Sequence, residues 1–102
     1  MLANITAIGK YLPKKIIPNS YFEKKLNTTN EWIISRTGIK ERRKIEAGKA
    51  SSYMAIKAIE ELLNSRKIDS NEIELIIVST ITPDMQFPST ACLIQDHFKM
   101  KN

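Results

Sequence analysis

A chain of 102 residues with 42% hydrophobic and 26% charged side chains is one soluble domain or a piece of one, with no room for two. Its net charge of +5 would suit an anionic partner, but most of that charge is lysine set among isoleucine and asparagine, as an AT-rich coding sequence produces without selection for a partner. One cysteine and one histidine exclude an internal disulfide and a metal site rich in those ligands. The run Leu75 to Val78 falls far short of the about 20 apolar residues a membrane-spanning helix needs, and residues 1–4 do not read as a signal peptide. A cytoplasmic location without a membrane partner is therefore expected.

Residues Ala3 to Gly9 are short, mostly apolar and end at glycine, which predicts a first core strand. Lys14 to Pro18 reads as a short edge strand closed by Pro18. Ser20 and Glu23 have capping-box spacing and open a short helix reaching about Leu26. Thr28 and Glu31 repeat that spacing and open a second helix, which carries the single tryptophan, Trp32, and stops at Gly38. Ile39 to Ile45 alternates only loosely and reads as an exposed strand or extended loop. From about Ala50 to Asn64, Ala55, Ala58, Ile59, Leu62 and Leu63 form one apolar stripe, which predicts a packing helix. Asp69 to Glu72 is a turn with a cap-like pattern, and the β-branched run Glu74 to Thr80 predicts a strand buried on both faces. After a loop holding Pro83, Phe87 and Pro88, Ser89 caps a last helix through Ala91, Ile94 and Phe98. The order of elements indicates an α/β architecture.

Cys92 and His97 suggest a nucleophile and its base, but five residues along a helix leave them about 140° apart around the axis. Cys92 is expected to be a small buried hydrophobe, and His97 a surface residue near the helix end. Trp32 and Arg36, four apart, share one helix face. They read in two ways: a core filler beside an arginine that pairs with Glu31 or Glu41, or a pocket rim where the indole, the guanidinium and the Thr37 hydroxyl meet a phosphate-bearing ligand while Ile33, Ile34 and Ile39 anchor the segment. Phe87 is either a loop anchor or a pocket wall. Lys40, Arg42, Arg43 and Lys44 could contact nucleic acid or an acidic carrier protein, but they read as solvated charge, since no aromatic residues interleave with them.

The segments Ile8-Gly9-Lys10-Tyr11-Leu12-Pro13, Thr28-Thr29-Asn30-Glu31-Trp32-Ile33, Arg36-Thr37-Gly38-Ile39-Lys40-Glu41-Arg42 and Phe87-Pro88-Ser89-Thr90-Ala91-Cys92-Leu93-Ile94-Gln95 closely resemble, in order and spacing, the amino-terminal part of the bacterial β-ketoacyl-acyl carrier protein synthase III family. The resemblance implies a truncated, amino-terminal part of a thiolase-like fold, in which α, β, α, β and α layers are built from two related halves, with residues 1–102 a fragment of one ketoacyl synthase domain. It implies the family activity: an acetyl group passes from acetyl-CoA to an enzyme cysteine and condenses with malonyl-acyl carrier protein, initiating fatty acid biosynthesis. Carried over residue by residue, Trp32 stacks on the adenine of coenzyme A, Arg36 and Thr37 hold its nucleotide and phosphate end, and Thr28 lies beside them. Phe87 reaches across a homodimer to shape the partner subunit's acyl pocket. No covalently bound cofactor is implied; the coenzyme A thioester is a substrate.

The family's catalytic cysteine, histidine and asparagine lie beyond the position matching Asn102, and Cys92 matches a structural cysteine. No catalytic residue is thus expected here, and the chain is expected to be inactive and poorly folded alone. One rival reading is half of a split enzyme completed by a second polypeptide. Another is a basic module that binds coenzyme A or nucleic acid, nucleic acid being the less favoured ligand.

Overall fold

In a computed structural model of the chain, residues 2–101 are described, so both end residues of the one-domain span 1–102 lie outside the described residues. The chain divides into two compact units, Leu12–Gly48 and residues 2–11 with 49–101.

In the first unit, β1 (Lys15–Pro18) leads into α1 (Asn19–Glu23), followed by α2 (Asn30–Thr37) and β2 (Glu41–Lys44). The strands pair antiparallel, with Lys15 opposite Lys44, Ile16 opposite Arg43 and Ile17 opposite Arg42. The edge strand closed by Pro18 is therefore present, and the exposed stretch after Gly38 supplies its partner. The capping box expected at Ser20 is not formed. Pro18 holds the N-cap position without a side-chain bond, and Glu23 accepts from the Asn30 amide at 2.7 Å instead, tying α1 to the start of α2. The helix ends at Glu23 rather than Leu26.

Thr29, not Thr28, caps α2: its Oγ1 accepts from the Trp32 amide at 3.1 Å. Gly38 ends the helix with φ +70° and donates to the Ile34 carbonyl, a left-handed cap that costs glycine little. Asn19, only 2% exposed, is the polar hub of this unit. Its Nδ2 donates to Asn30 Oδ1 at 3.0 Å and to the Ile39 carbonyl at 2.9 Å, its Oδ1 accepts from Arg42 Nη1, and its backbone amide donates to the Lys40 carbonyl. One buried amide at the head of α1, directly after β1, is thereby bonded to α2 and β2, and Ile33 is the buried hydrophobe of the unit.

In the second unit, α3 (Ser51–Arg66) packs against α4 (Thr90–Phe98), with Ile94 and Met100 buried. The turn after α3 is a 3-10 segment, Ser70–Glu72, with the reciprocal Asp69 and Glu72 bonds of a capping box. Ser89 caps α4, its Oγ accepting from the Cys92 amide. The expected packing stripe of α3 is half-buried, without a fully buried residue.

Three expectations fail in this unit. Residues 3–9 and 74–80 form no strand, because neither segment has a hydrogen-bonded neighbour among the described residues. Ile5, Ile8, Leu75 and Ile77 are exposed, so the run expected to be buried on both faces has an apolar surface open to solvent. Gly9 does pack closely, since a Cβ there would lie 2.3 Å from the Ala58 carbonyl oxygen. Finally, Cys92 is exposed rather than buried: α4 turns Ile94 inward, which puts the residue two before it, about 200° around the axis, on the outer side.

Candidate functional site

The tryptophan helix borders a cavity of about 500 Å³ lined by the Leu26–Thr29 turn together with Phe22, Trp32, Ile33 and Arg42. The cavity is mostly apolar, with a few polar groups directed by neighbouring elements, as in small-molecule sites. The Thr29 cap fixes the first turn of α2, and Ile33 faces inward at 7% exposure. Trp32 is left 58% exposed, and its indole forms a rim rather than core. Arg36 lies one turn on, its guanidinium carbon 6.0 Å from the Trp32 ring centroid. Among the described residues it pairs with neither Glu31 nor Glu41; Glu41 faces Arg43 at 3.9 Å.

Thr28 lines the cavity, and its Oγ1 is buried without a hydrogen-bond partner. An unmet buried hydroxyl costs about 1 kcal/mol or more, so a ligand atom that bonds to it gains what the unliganded fold leaves unmet. Thr37 is placed differently. Its hydroxyl donates to the Ile33 carbonyl at 2.7 Å and accepts from the Ile39 amide at 3.0 Å, so it closes the end of the helix beneath Arg36.

Arg42 is the site residue that sequence reasoning missed. Grouped with solvated charge, it instead lies over the Phe22 ring at 4.6 Å, is fixed by Asn19 and lines the cavity. Arg43 is also engaged, donating to the Pro13 carbonyl at 3.2 Å. The available signal was the strand alternation, which turns Arg42 to the face opposite Glu41 and Arg43.

Phe87 belongs to the other unit, where it is 89% exposed in the loop before α4. Cys92 and His97 have separate partners. The Cys92 Sγ lies 3.2 Å from Ser89 Oγ, and His97 Nε2 lies 3.8 Å from Glu60 Oε1, so His97 is the expected surface residue. No group of three or more metal-ligating side chains occurs among the described residues.

No family model matches the chain. A β-ketoacyl-[acyl-carrier-protein] synthase III from Chlorobaculum tepidum is 52% identical over 103 residues, spanning 100% of this chain and 31% of that protein. Its counterpart from Koribacter versatilis is 46% identical over 98% of this chain and 30% of that protein. The chain is homologous to the amino-terminal part of β-ketoacyl-[acyl-carrier-protein] synthase III. Solved synthase III structures agree: the Thermus thermophilus protein matches with a TM-score of 0.85 and 44% identity, over 97% of this chain and 31% of that one. The Aquifex aeolicus protein gives 0.84 and 45%, over 94% and 31%. The fold is therefore the thiolase-like fold of the synthase III family over the part that the chain covers. These 102 residues span about 30% of the length of the curated relatives they match.

Proposed function

We propose that these residues form the coenzyme A recognition part of a β-ketoacyl-acyl carrier protein synthase III, serving the condensation of acetyl-CoA with malonyl-acyl carrier protein that initiates fatty acid biosynthesis. The observation that carries this reading is a half-exposed indole with a guanidinium 6.0 Å from its ring, at the rim of a cavity that buries an unpartnered threonine hydroxyl. Trp32 offers a stacking face for adenine, and Arg36 offers a charge for the phosphates without first releasing a carboxylate. Thr28 bonds to the base or ribose inside the cavity. Thr37 ends the helix so that Arg36 stays beside Trp32. Phe87 is a wall of an acyl pocket that a second subunit completes, so the working assembly is a homodimer in the cytoplasm. The proposal assigns recognition to these residues and not condensation, since Cys92 and His97 are not paired with each other.

Trp32 is the single tryptophan, so its emission reports on this site alone. Coenzyme A is expected to quench it saturably, adenosine 3′,5′-bisphosphate to compete, and pantetheine to leave it unchanged. Trp32→Ala should weaken binding measured by calorimetry; equal affinity in that variant would remove Trp32 from the site. A malonyl-dependent condensation assay on the chain alone should give no product, and turnover above blank would overturn the division of roles. DNA titrated at two salt concentrations tests the rival ligand, because phosphate-driven binding falls steeply with salt.

A second reading, a split enzyme completed by another polypeptide, is favoured by one observation. Residues 3–9 and 74–80 expose β-branched side chains and unpaired backbone, the surface that an added strand would cover. Co-expression with a chain matching the uncovered part of the relatives tests it: a stable complex supports this reading, and separate elution opposes it.

A further inference from the structure

The residue at the N-cap of α3 is Ala50, which has no side-chain acceptor and makes no cap bond. A 16-residue helix would normally lose stability there, because its first amides have no partners within the helix. The missing acceptor comes from a distant loop. Asp84 Oδ1 accepts from the Ser52 amide at 2.7 Å, and Asp84 Oδ2 accepts from the Ser52 hydroxyl. Beside this pair, Ser51 Oγ donates to the Thr82 carbonyl. The carboxylate lies at the positive end of the helix, where a negative charge is favoured. At its other end the loop runs into Ser89, which caps α4. The segment between the two caps carries Phe87, 89% exposed and held by little else.

We infer that Asp84 is a positioning residue. By capping α3 from the Thr82–Pro88 loop, it fixes that loop to the helix and thereby sets where Phe87 stands. Its bearing on acyl-chain selection rests on the proposed role of Phe87 as a pocket wall. The fastening itself does not, and it is tested without coenzyme A, so failure of one leaves the other standing.

The chain contains three phenylalanines, so uniform 4-fluorophenylalanine labelling gives three fluorine resonances, with Phe22 and Phe98 as internal references for Phe87. Asp84→Ala should shift and narrow the Phe87 resonance toward that of a freely mobile side chain while the other two stay in place. It should also speed hydrogen exchange at the Ser52 amide by about fivefold, the loss of one cap. Asp84→Asn keeps an acceptor oxygen and should restore both readouts. Ser52→Ala removes only the hydroxyl and should move Phe87 in the same direction by less, which tests the fastening should Asp84→Ala fail to fold. An unmoved Phe87 resonance in Asp84→Ala and Ser52→Ala would overturn the inference. So would a joint shift of all three resonances, which marks general loosening, or a failure of asparagine to rescue.

Discussion

Asn19→Ala is the most informative perturbation of the unit that carries the cavity. The side chain is 2% exposed and makes three hydrogen bonds, two donated to Asn30 Oδ1 and the Ile39 carbonyl and one accepted from the Arg42 guanidinium. A neutral bond of this kind contributes about 1 kcal/mol net, and one to a charged group about 2. Partial access of water to the partners, all of which are less buried than Asn19, reduces the sum, leaving a loss of about 3 kcal/mol. If β1 and β2 open together, as a four-residue ladder held by this hub should, exchange of their amides accelerates by about a hundredfold or more. Hydrogen exchange read residue by residue measures this directly, with the Ile94 amide in the other unit as reference. Asn19→Asp separates bonding from packing. It keeps the shape and the Arg42 contact but replaces the amide donor with an oxygen facing two acceptors, so acceleration as large as alanine's shows that the lost donors, rather than the lost volume, open the strands. Exchange in both strands within about threefold of the parent for Asn19→Ala would refute the hub, since even one neutral bond is worth more than that.

Gly9→Ala should loosen the amino-terminal segment by about 2 kcal/mol, because the new Cβ meets the Ala58 carbonyl at 2.3 Å and the Leu62 Cβ at 2.7 Å. The check is faster exchange of the Lys10 amide, which donates to Glu61 Oε2 at 2.9 Å. Thr29→Ala removes the α2 cap and should cost about 1 kcal/mol, read as faster exchange of the Trp32 amide, whereas Thr28→Ala leaves that amide unchanged. Tyr21 sits below the ordinary tyrosine range because Lys25 donates to its phenol oxygen at 2.8 Å and adds its positive charge, with Lys44 and Lys15 contributing further. Its depressed folded-state value means that this stabilisation is present above the unfolded tyrosine pKa and is lost as pH falls through the folded one, so it plays no part at neutral pH. Ultraviolet titration should show Tyr21 returning toward its ordinary range in Lys25→Met, and an unchanged phenol would refute the cause. Lys57 is raised by its hydrogen bond to Glu60 and by that carboxylate's charge, with the opposite sign: its contribution is present below the unfolded lysine pKa and is lost as pH rises through the folded one.

Features set by neighbours in sequence were legible. The glycine at 38, the Asp69 and Glu72 box, the Ser89 cap and the amphipathic stretch of α3 each rest on groups within one helical turn. Where two residues of equal chemistry adjoin, the same rules lose their aim. Thr28 and Thr29 both suit a cap, and only the turn after α1 turns the second hydroxyl toward the helix and buries the first. Strands were legible only where a partner exists. Ile16 and Ile17 find β2, while residues 3–9 and 74–80 have the composition of strands and no ladder. A strand is a relation between segments, so composition predicts the tendency and the rest of the fold decides whether it is realised.

The site divides along the same line. Trp32 and Arg36 could be placed together from spacing alone, because one helical turn brings them to one face. Arg42 could not, because its environment comes from three elements: the register that sets it opposite Ile17, the ring of Phe22 in α1, and the Asn19 amide at the head of that helix. Its neighbour Arg43 shows that charge density was the wrong guide, since adjacent arginines on one strand go to opposite faces and take different partners. What distinguishes a site cation from a solvated one is the cost of moving it. Among the described residues Arg36 lies against the indole and pairs with no carboxylate, whereas Arg42 must break its bond to the buried Asn19 amide to leave the cavity. The two arginines therefore suit different tasks. Under the proposed coenzyme A reading Arg36 is the arginine that would follow the ligand, while Arg42 shapes the cavity.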